Sequence, residues 1–186
     1  CGSGIRLQWG TELNSKLALD SMDIFENLQE YTGYDHTVGL NQCGYLLLAT
    51  NESEWKMLQS CLDVQHKMGV KSFKVDLKKE VQEIVPGINT DGLIGATFCQ
   101  RDGNADPFHS TFAYMNAAKR LGVEFLTYTE VKELIAKNGK IRGVRTTKGD
   151  FEAAIVLNCA NVWAPGLAEQ IGDKIPLFAE RHEALI

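Results

Sequence analysis

Three stretches of this 186-residue chain hold residue types that could do chemistry. The first is Gly4-Ile5-Arg6 within CGSGIRLQWG. Glycine lets backbone approach a bound group closely, and an arginine beside it could meet an anion or an electron-rich ring. The second is CQRDGNADPFHS, residues 99 to 110, where Asp102-Gly103 signals a turn and Asp106-Pro107 starts a helix. The third is AIVLNCANVWAP, residues 154 to 165. Its run Ile155-Val156-Leu157 reads as a buried strand, yet it ends in Asn158, Cys159, Ala160 and Asn161 before Trp163. Small residues at a strand end suit a backbone that something must approach.

Other chemistries are not signalled. There is no G-x-G-x-x-G, no P-loop, no H-E-x-x-H, no paired-cysteine zinc spacing and no G-x-S-x-G. No catalytic residue and no metal ligand set can therefore be named. His36, His66, His109 and His182 are scattered and read as surface or helix-face residues. His109 falls in the first turn of a helix, where the dipole disfavours a cation. The net charge of −5, with no basic stripe, argues against a nucleic-acid partner. The longest apolar run is far short of the ~18 residues that a membrane helix needs. Five cysteines without a C-x-x-C pair read as free buried thiols in a reducing compartment, the cytoplasm.

The elements that must position these stretches follow from periodicity and punctuation. Helical spacing predicts one helix over 13–31 with Leu13, Leu17, Met22, Phe25 and Leu28 inward. Residues 43–49 read as a strand. Asn51 caps a helix, with Glu54 completing a capping box, and Gly69 ends it. A short helix is expected over 78–84 and a strand over 93–99. The helix from Pro107, ended by Gly122, carries Phe108, Phe112 and Met115 and, one face over, Tyr114, Ala118 and Leu121. Strands are then predicted at 125–128, 131–136, 141–147 and 151–158, with Asn138-Gly139 as a hairpin turn. Helix and strand mixed, followed by a β-meander, fits an α+β (mixed) fold class.

Taken in order, these stretches resemble the flavin-dependent amine oxidoreductases, the family of sarcosine oxidase and its beta subunit, dimethylglycine dehydrogenase, glycine oxidase and D-amino-acid oxidase. SGIRLQW is similar to the family's loop beside the flavin. FCQRDGNADPFHSTFAYMNAAKRLGVEF is similar to its aspartate-glycine, proline, long-helix pattern. TYTEVKELIAKNGKIRGVRTTKGDFEAAIVLNCANVWAPGLAEQIGDKIPL is similar to its meander and following strand. The resemblance covers essentially the whole chain and is nearest the sarcosine oxidase beta-subunit branch.

The resemblance implies FAD as cofactor and a small amine or N-methyl amino acid as substrate. Hydride would pass from the carbon beside nitrogen to the flavin. Gly4, Ile5 and Arg6 would border the isoalloxazine ring, and Val131 would offer backbone contacts to the adenine end. Ala160 and Asn161, with Trp163 behind them, would line the cofactor path. Arg101 and Arg181 are candidates for a substrate carboxylate. It further implies a mainly substrate-binding domain over 1–122, part of an FAD-binding α/β domain over 123–172, and a return to the substrate sheet over 173–186.

Two departures stand out. Asn161 stands where the family usually has glycine, and asparagine tolerates a left-handed backbone better than most residues. The family's amino-terminal strand, glycine loop and helix has no counterpart here, so the chain reads as an internal piece of a longer protein. The isolated piece would then bind flavin weakly or not at all. Two alternatives are a non-catalytic binding or subunit-contact module of the same fold, in a hetero-oligomer, and a flavin dehydrogenase of another substrate class such as glycerol phosphate.

Overall fold

The computed structural model describes residues 3–181. Cys1, Gly2 and His182 to Ile186, where a strand was expected to begin, lie outside the described residues. The chain divides into two compact units, Cys1–Val123 and Glu124–Ile186.

Unit 1 is built on a three-stranded antiparallel sheet in the order β2-β4-β3, with β2 Tyr45–Ala49, β3 Phe73–Lys74 and β4 Gly95–Cys99. Every residue of β4 is buried, as befits a strand paired on both edges. A second pair joins β1 Gly4–Ile5 to β5 Gly103–Asn104. The first long helix is broken: α1 Glu12–Glu26 ends at Asn27 and α2 Leu28–Thr32 follows. The expected inward stripe holds at Met22 and Leu28 but fails at Leu13 and Leu17, which are 68% and 56% exposed. Ser15 is buried instead, and Ala18 and Leu19 pack on the core beside Met22. Small side chains set the close face of α1, and the break at Asn27 resets the helical phase.

Helix α3, Glu52–Lys67, starts as expected, with Asn51 accepting the Glu54 N–H at 3.0 Å. The reciprocal arm of the box is displaced by one residue. Glu54 accepts from the backbone N–H and hydroxyl of Thr50, and these bonds hold its carboxyl below the usual range. After the short α4, Glu80–Ile84, and strands β4 and β5 comes α5, Pro107–Arg120. Asp106 caps it by accepting the His109 N–H at 2.8 Å. Phe108, Phe112, Tyr114 and Leu121 are all exposed, and the fully buried contact is Ala113. Ala113 packs on Leu28, Tyr34 and Val38. A second cluster joins Leu7, Met22, Val70 and Cys99, and a third joins Val75, Val81, Ala96 and Phe98 around β4.

Unit 2 is a meander of β6 Val131–Lys137, β7 Lys140–Thr146 and β8 Gly149–Glu152, all antiparallel. Asn138 and Gly139 turn the first hairpin at φ of 54° and 70°, the pair of positive values that a two-residue turn of this kind requires. Two expected strands are absent. Residues 125–128 form none, because Tyr128 adopts φ 54° in a turn and is 97% exposed. The last strand stops at Glu152, and Ile155 and Leu157 are 81% and 85% exposed. An apolar run becomes a buried strand only beside strands that pair with it, and none does so among the described residues. The chain closes through a short 3₁₀ turn, Asn161–Trp163, and α6 Ala164–Glu169. Residues 173–181 form no strand and cluster with unit 2.

Candidate functional site

In unit 1 the site is built around β1. Its register pairs Gly4 with Asn104 and Ile5 with Gly103, so the two glycine-containing stretches picked out in the sequence lie side by side. A Cβ at Gly4 would overlap the hydroxyl of Tyr45, so any larger residue there would require the Tyr45 side chain to move aside. Beyond Ile5 the backbone is held by Asp102, whose carboxylate accepts the Leu7 N–H at 2.7 Å. Arg6 lies between these two anchors. Its guanidinium sits 4.3 Å from the centre of the Trp9 ring, and the Trp9 indole N–H donates to the Arg6 carbonyl at 2.8 Å. The Arg6 Nε is buried and has no hydrogen-bond partner. An orphaned buried N–H is costly and asks for an acceptor. The electron-rich edge of an isoalloxazine ring would supply one, so the donor fits such a group.

In unit 2 the predicted residues also converge. A cavity of about 680 Å³ is lined by Val131, Leu157, Cys159, Ala160 and Trp163, among others. Its volume lies in the range of small-molecule sites, roughly 300–1,000 Å³. The Asn158 side chain shapes its rim by donating to the Ala164 carbonyl at 3.0 Å and accepting the Ala160 N–H at 3.2 Å. Asn161 has φ 50°, the left-handed conformation that glycine would take most easily. The departure from glycine therefore keeps the backbone shape and adds a side chain. Trp163 is 75% exposed, so it is a wall of the cavity and not a core residue. A larger hollow of about 1230 Å³ lies along Arg142, Arg145, Asp150 and Glu152. Arg145 there is already paired with both Glu133 and Asp150.

The two arginines expected to receive a carboxylate differ. Arg101 is bidentate to Glu26, with Nε to Oε1 at 2.7 Å and Nη2 to Oε2 at 2.6 Å, and it also pairs with Asp23. These partners, Glu26 first, raise its pKa further, and its fork is committed to the protein's own carboxylates. Arg181 is exposed in the closing segment. The histidines are less scattered than their spacing suggests. The rings of His109 and His36 lie 5.8 Å apart between centres, tilted at 60°, and the Tyr34 hydroxyl meets the His109 Nδ1 at 2.8 Å. Of the four thiols described, only Cys99 is buried, while Cys43 and Cys159 are exposed. Burial first, and then the charge of Asp102, push the Cys99 thiol up to about 11, so it stays protonated.

The Glu26–Arg101 pair sets an acid limit. The Arg101 hydrogen bond lowers the Glu26 pKa below 4.5, so the folded state holds this proton less tightly than the unfolded chain. Its contribution to stability is full above that value and drains as pH falls through the folded pKa. Urea denaturation across that window should show Glu26→Gln losing less stability with acid than the parent chain. Identical acid limbs would remove Glu26 from the acid response. Asp102 works with the opposite sign, because burial raises its pKa and the folded state binds its proton more tightly.

The family model described as FAD dependent oxidoreductase matches residues 1–186, and the chain belongs to that family. It is 28% identical over 173 residues to 4-methylaminobutanoate oxidase (formaldehyde-forming) of Paenarthrobacter nicotinovorans, covering 93% of this chain and 21% of that protein. It is 29% identical over 178 residues to the mitochondrial pyruvate dehydrogenase phosphatase regulatory subunit of Mus musculus, covering 95% of this chain and 20% of that protein. The crystal structure of L-proline dehydrogenase from P. horikoshii superposes with a TM-score of 0.80 at 35% identity, over 92% of this chain and 45% of that one. The chain thus spans about a fifth of the length of these curated relatives. Among the described residues no helix is long and apolar enough to cross a membrane.

Proposed function

We propose that this chain is part of an FAD-dependent oxidoreductase that oxidises the carbon beside the nitrogen of a secondary amine bearing a carboxylate. The orphaned Nε of Arg6, buried beside the Gly4–Ile5 strand, is the observation that carries the reading. The names of two relatives support the substrate class, since 4-methylaminobutanoate and L-proline are both secondary amines with a carboxylate. When bound, the flavin accepts the hydrogen of the breaking C–H bond with its electron pair, leaving an imine that water hydrolyses. The chain's own part is to bind and orient. Gly4 keeps side-chain bulk off β1, and Arg6 offers its fixed charge and Nε–H to the ring. Val131, Ala160 and Trp163 line the cavity in unit 2 that suits the nucleotide half, and Asn161 lies next to Ala160 in the chain. For the substrate carboxylate we favour Arg181 over Arg101, whose donors already face Glu26 and Asp23. The free thiols of the described residues favour a reducing compartment such as the cytoplasm.

The test has two parts. The purified chain, desalted, should be colourless, because we expect it to bind FAD weakly. A flavin absorbance band that survives desalting would contradict that. The full-length protein that contains this chain should bind FAD, and secondary amines such as sarcosine or proline should bleach it under anaerobic mixing. The relative named as a regulatory subunit supports a second reading, a non-catalytic module of the same fold in contact with other subunits. Flavin binding without bleaching by any amine would favour that second reading.

A further inference from the structure

We propose that Asp102, buried in the turn between β4 and β5, is the positioning residue for Arg6, holding the backbone on its far side while the adjacent Gly103 pairs with the near side. The use we assign to Arg6 rests on the flavin reading above, but the positioning itself can be tested without flavin.

Asp102 is fully buried, with no exposed surface. One carboxylate oxygen accepts the Leu7 N–H at 2.7 Å, and the other accepts the Gln8 Nε2–H at 3.0 Å. The Gln8 amide is itself oriented, donating to the Tyr45 carbonyl at 2.9 Å and accepting the Thr97 hydroxyl at 2.9 Å. On the near side of Arg6, Ile5 pairs with Gly103. Two consecutive residues of one turn, Asp102 and Gly103, thereby grip the residues after and before Arg6. The arginine between them has its guanidinium over Trp9 and its backbone carbonyl under the Trp9 N–H.

An asparagine could serve only one of these two donors, because its amide nitrogen cannot accept, whereas the carboxylate serves both Leu7 and Gln8. The groups facing Asp102 are Cys99 on β4, Gln8 and Leu7 after β1, and Arg6. The Cys99 thiol is neutral, so Arg6 is the one cation of this set. Burial raises the Asp102 pKa most, while Gln8, Leu7 and Arg6 each pull it back. The arrangement fits a buried carboxyl group that fixes the backbone on either side of Arg6 before any ligand arrives.

The experiment labels the chain with 5-fluorotryptophan and assigns the fluorine resonances of Trp9, Trp55 and Trp163 by single Trp→Phe changes. Trp55, packed against Gly95 in the β4 region, reports folding of the same unit. Asp102→Asn should shift and broaden the Trp9 resonance and leave that of Trp55 in place. An unmoved Trp9 resonance overturns the proposal. If Asp102→Asn disturbs Trp55 as well, the isosteric Thr97→Val decides. Loosening Gln8 should move Trp9 in the same direction by less, and an unmoved resonance again overturns the idea. In the flavin-loaded full-length protein, Arg6→Met and Asp102→Asn should both shift the visible flavin band and lower kcat/KM by about tenfold to a hundredfold. A band shift with Arg6→Met alone sinks the proposal and leaves the flavin reading standing. No band shift with either sinks the flavin reading, and the fluorine result alone then decides the role of Asp102.

Discussion

Gly103→Val is expected to destabilise unit 1 by about 3 kcal/mol and to separate β1 from β5. A Cβ at residue 103 would overlap the carbonyl oxygen of Asn41 and stand 2.8 Å from the Cα of Gln42. That carbonyl cannot retreat cheaply. It accepts the Asn104 N–H at 3.0 Å, while the Asn41 N–H donates to the Asn104 carbonyl at 2.8 Å. Moving it breaks the bridge that holds β5 in place, and β5 is what pairs with Gly4 and Ile5. The obstacle is backbone on both sides, so no rotamer change relieves it. Urea denaturation followed at Trp9 and Trp55 would measure the loss. A variant within about 1 kcal/mol of the parent would show that β5 yields, and the rigidity argued for the Arg6 strand would fall with it.

The features legible in the sequence were those that local chemistry fixes. Asn51, Asp106-Pro107 and Asn138-Gly139 each declare a cap or a turn through their own side chains or backbone, and each is found where expected. What was misread depended on distant partners. The two-residue strands β3 and β5 have no periodicity of their own and exist only because β4 and β1 pair with them. Counting large apolar residues put Leu13 and Leu17 inside, whereas helices approach most closely where side chains are smallest, at Ser15 and Ala113. The run at 155–157 was read as buried, but burial needs neighbouring strands that the described residues do not supply.

The site shows the same division. Gly4 and Arg6 were singled out from residue type and Ala160 and Asn161 through the family resemblance, and the left-handed backbone of Asn161 agrees with a position that glycine could hold. Asp102 was read as a turn residue, which it is. Its second role spans 95 residues of sequence to the Leu7 N–H, and no local signal could reveal it. Arg101 was a candidate for an external carboxylate, yet Glu26 and Asp23 from α1 reach it first. A solvent-facing arginine and a paired one look alike in sequence, because the difference lies in which helix face arrives opposite.

Met22→Ala should cost unit 1 an amount in the upper half of about 2–5 kcal/mol, and Met22→Leu less than about 1.5 kcal/mol. Met22 is fully buried in α1 and packs with Leu7, Val70 and Cys99. The size of the penalty turns on whether its neighbours can close the space. Leu7 cannot follow, since its N–H is held by Asp102, and Val70 is tied through its N–H to the Gln65 carbonyl at 2.8 Å. Cys99 ends the fully paired central strand. With three walls fixed, most of the cavity would remain. Leu7 directly follows Arg6, so the same variant should also broaden the Trp9 fluorine resonance through loss of support beneath the loop. A cost near 1 kcal/mol with Trp9 unaffected would mean that Leu7 is free to drop into the gap. The hydrogen bond from Asp102 would then not be holding the strand on which the flavin-side reading depends.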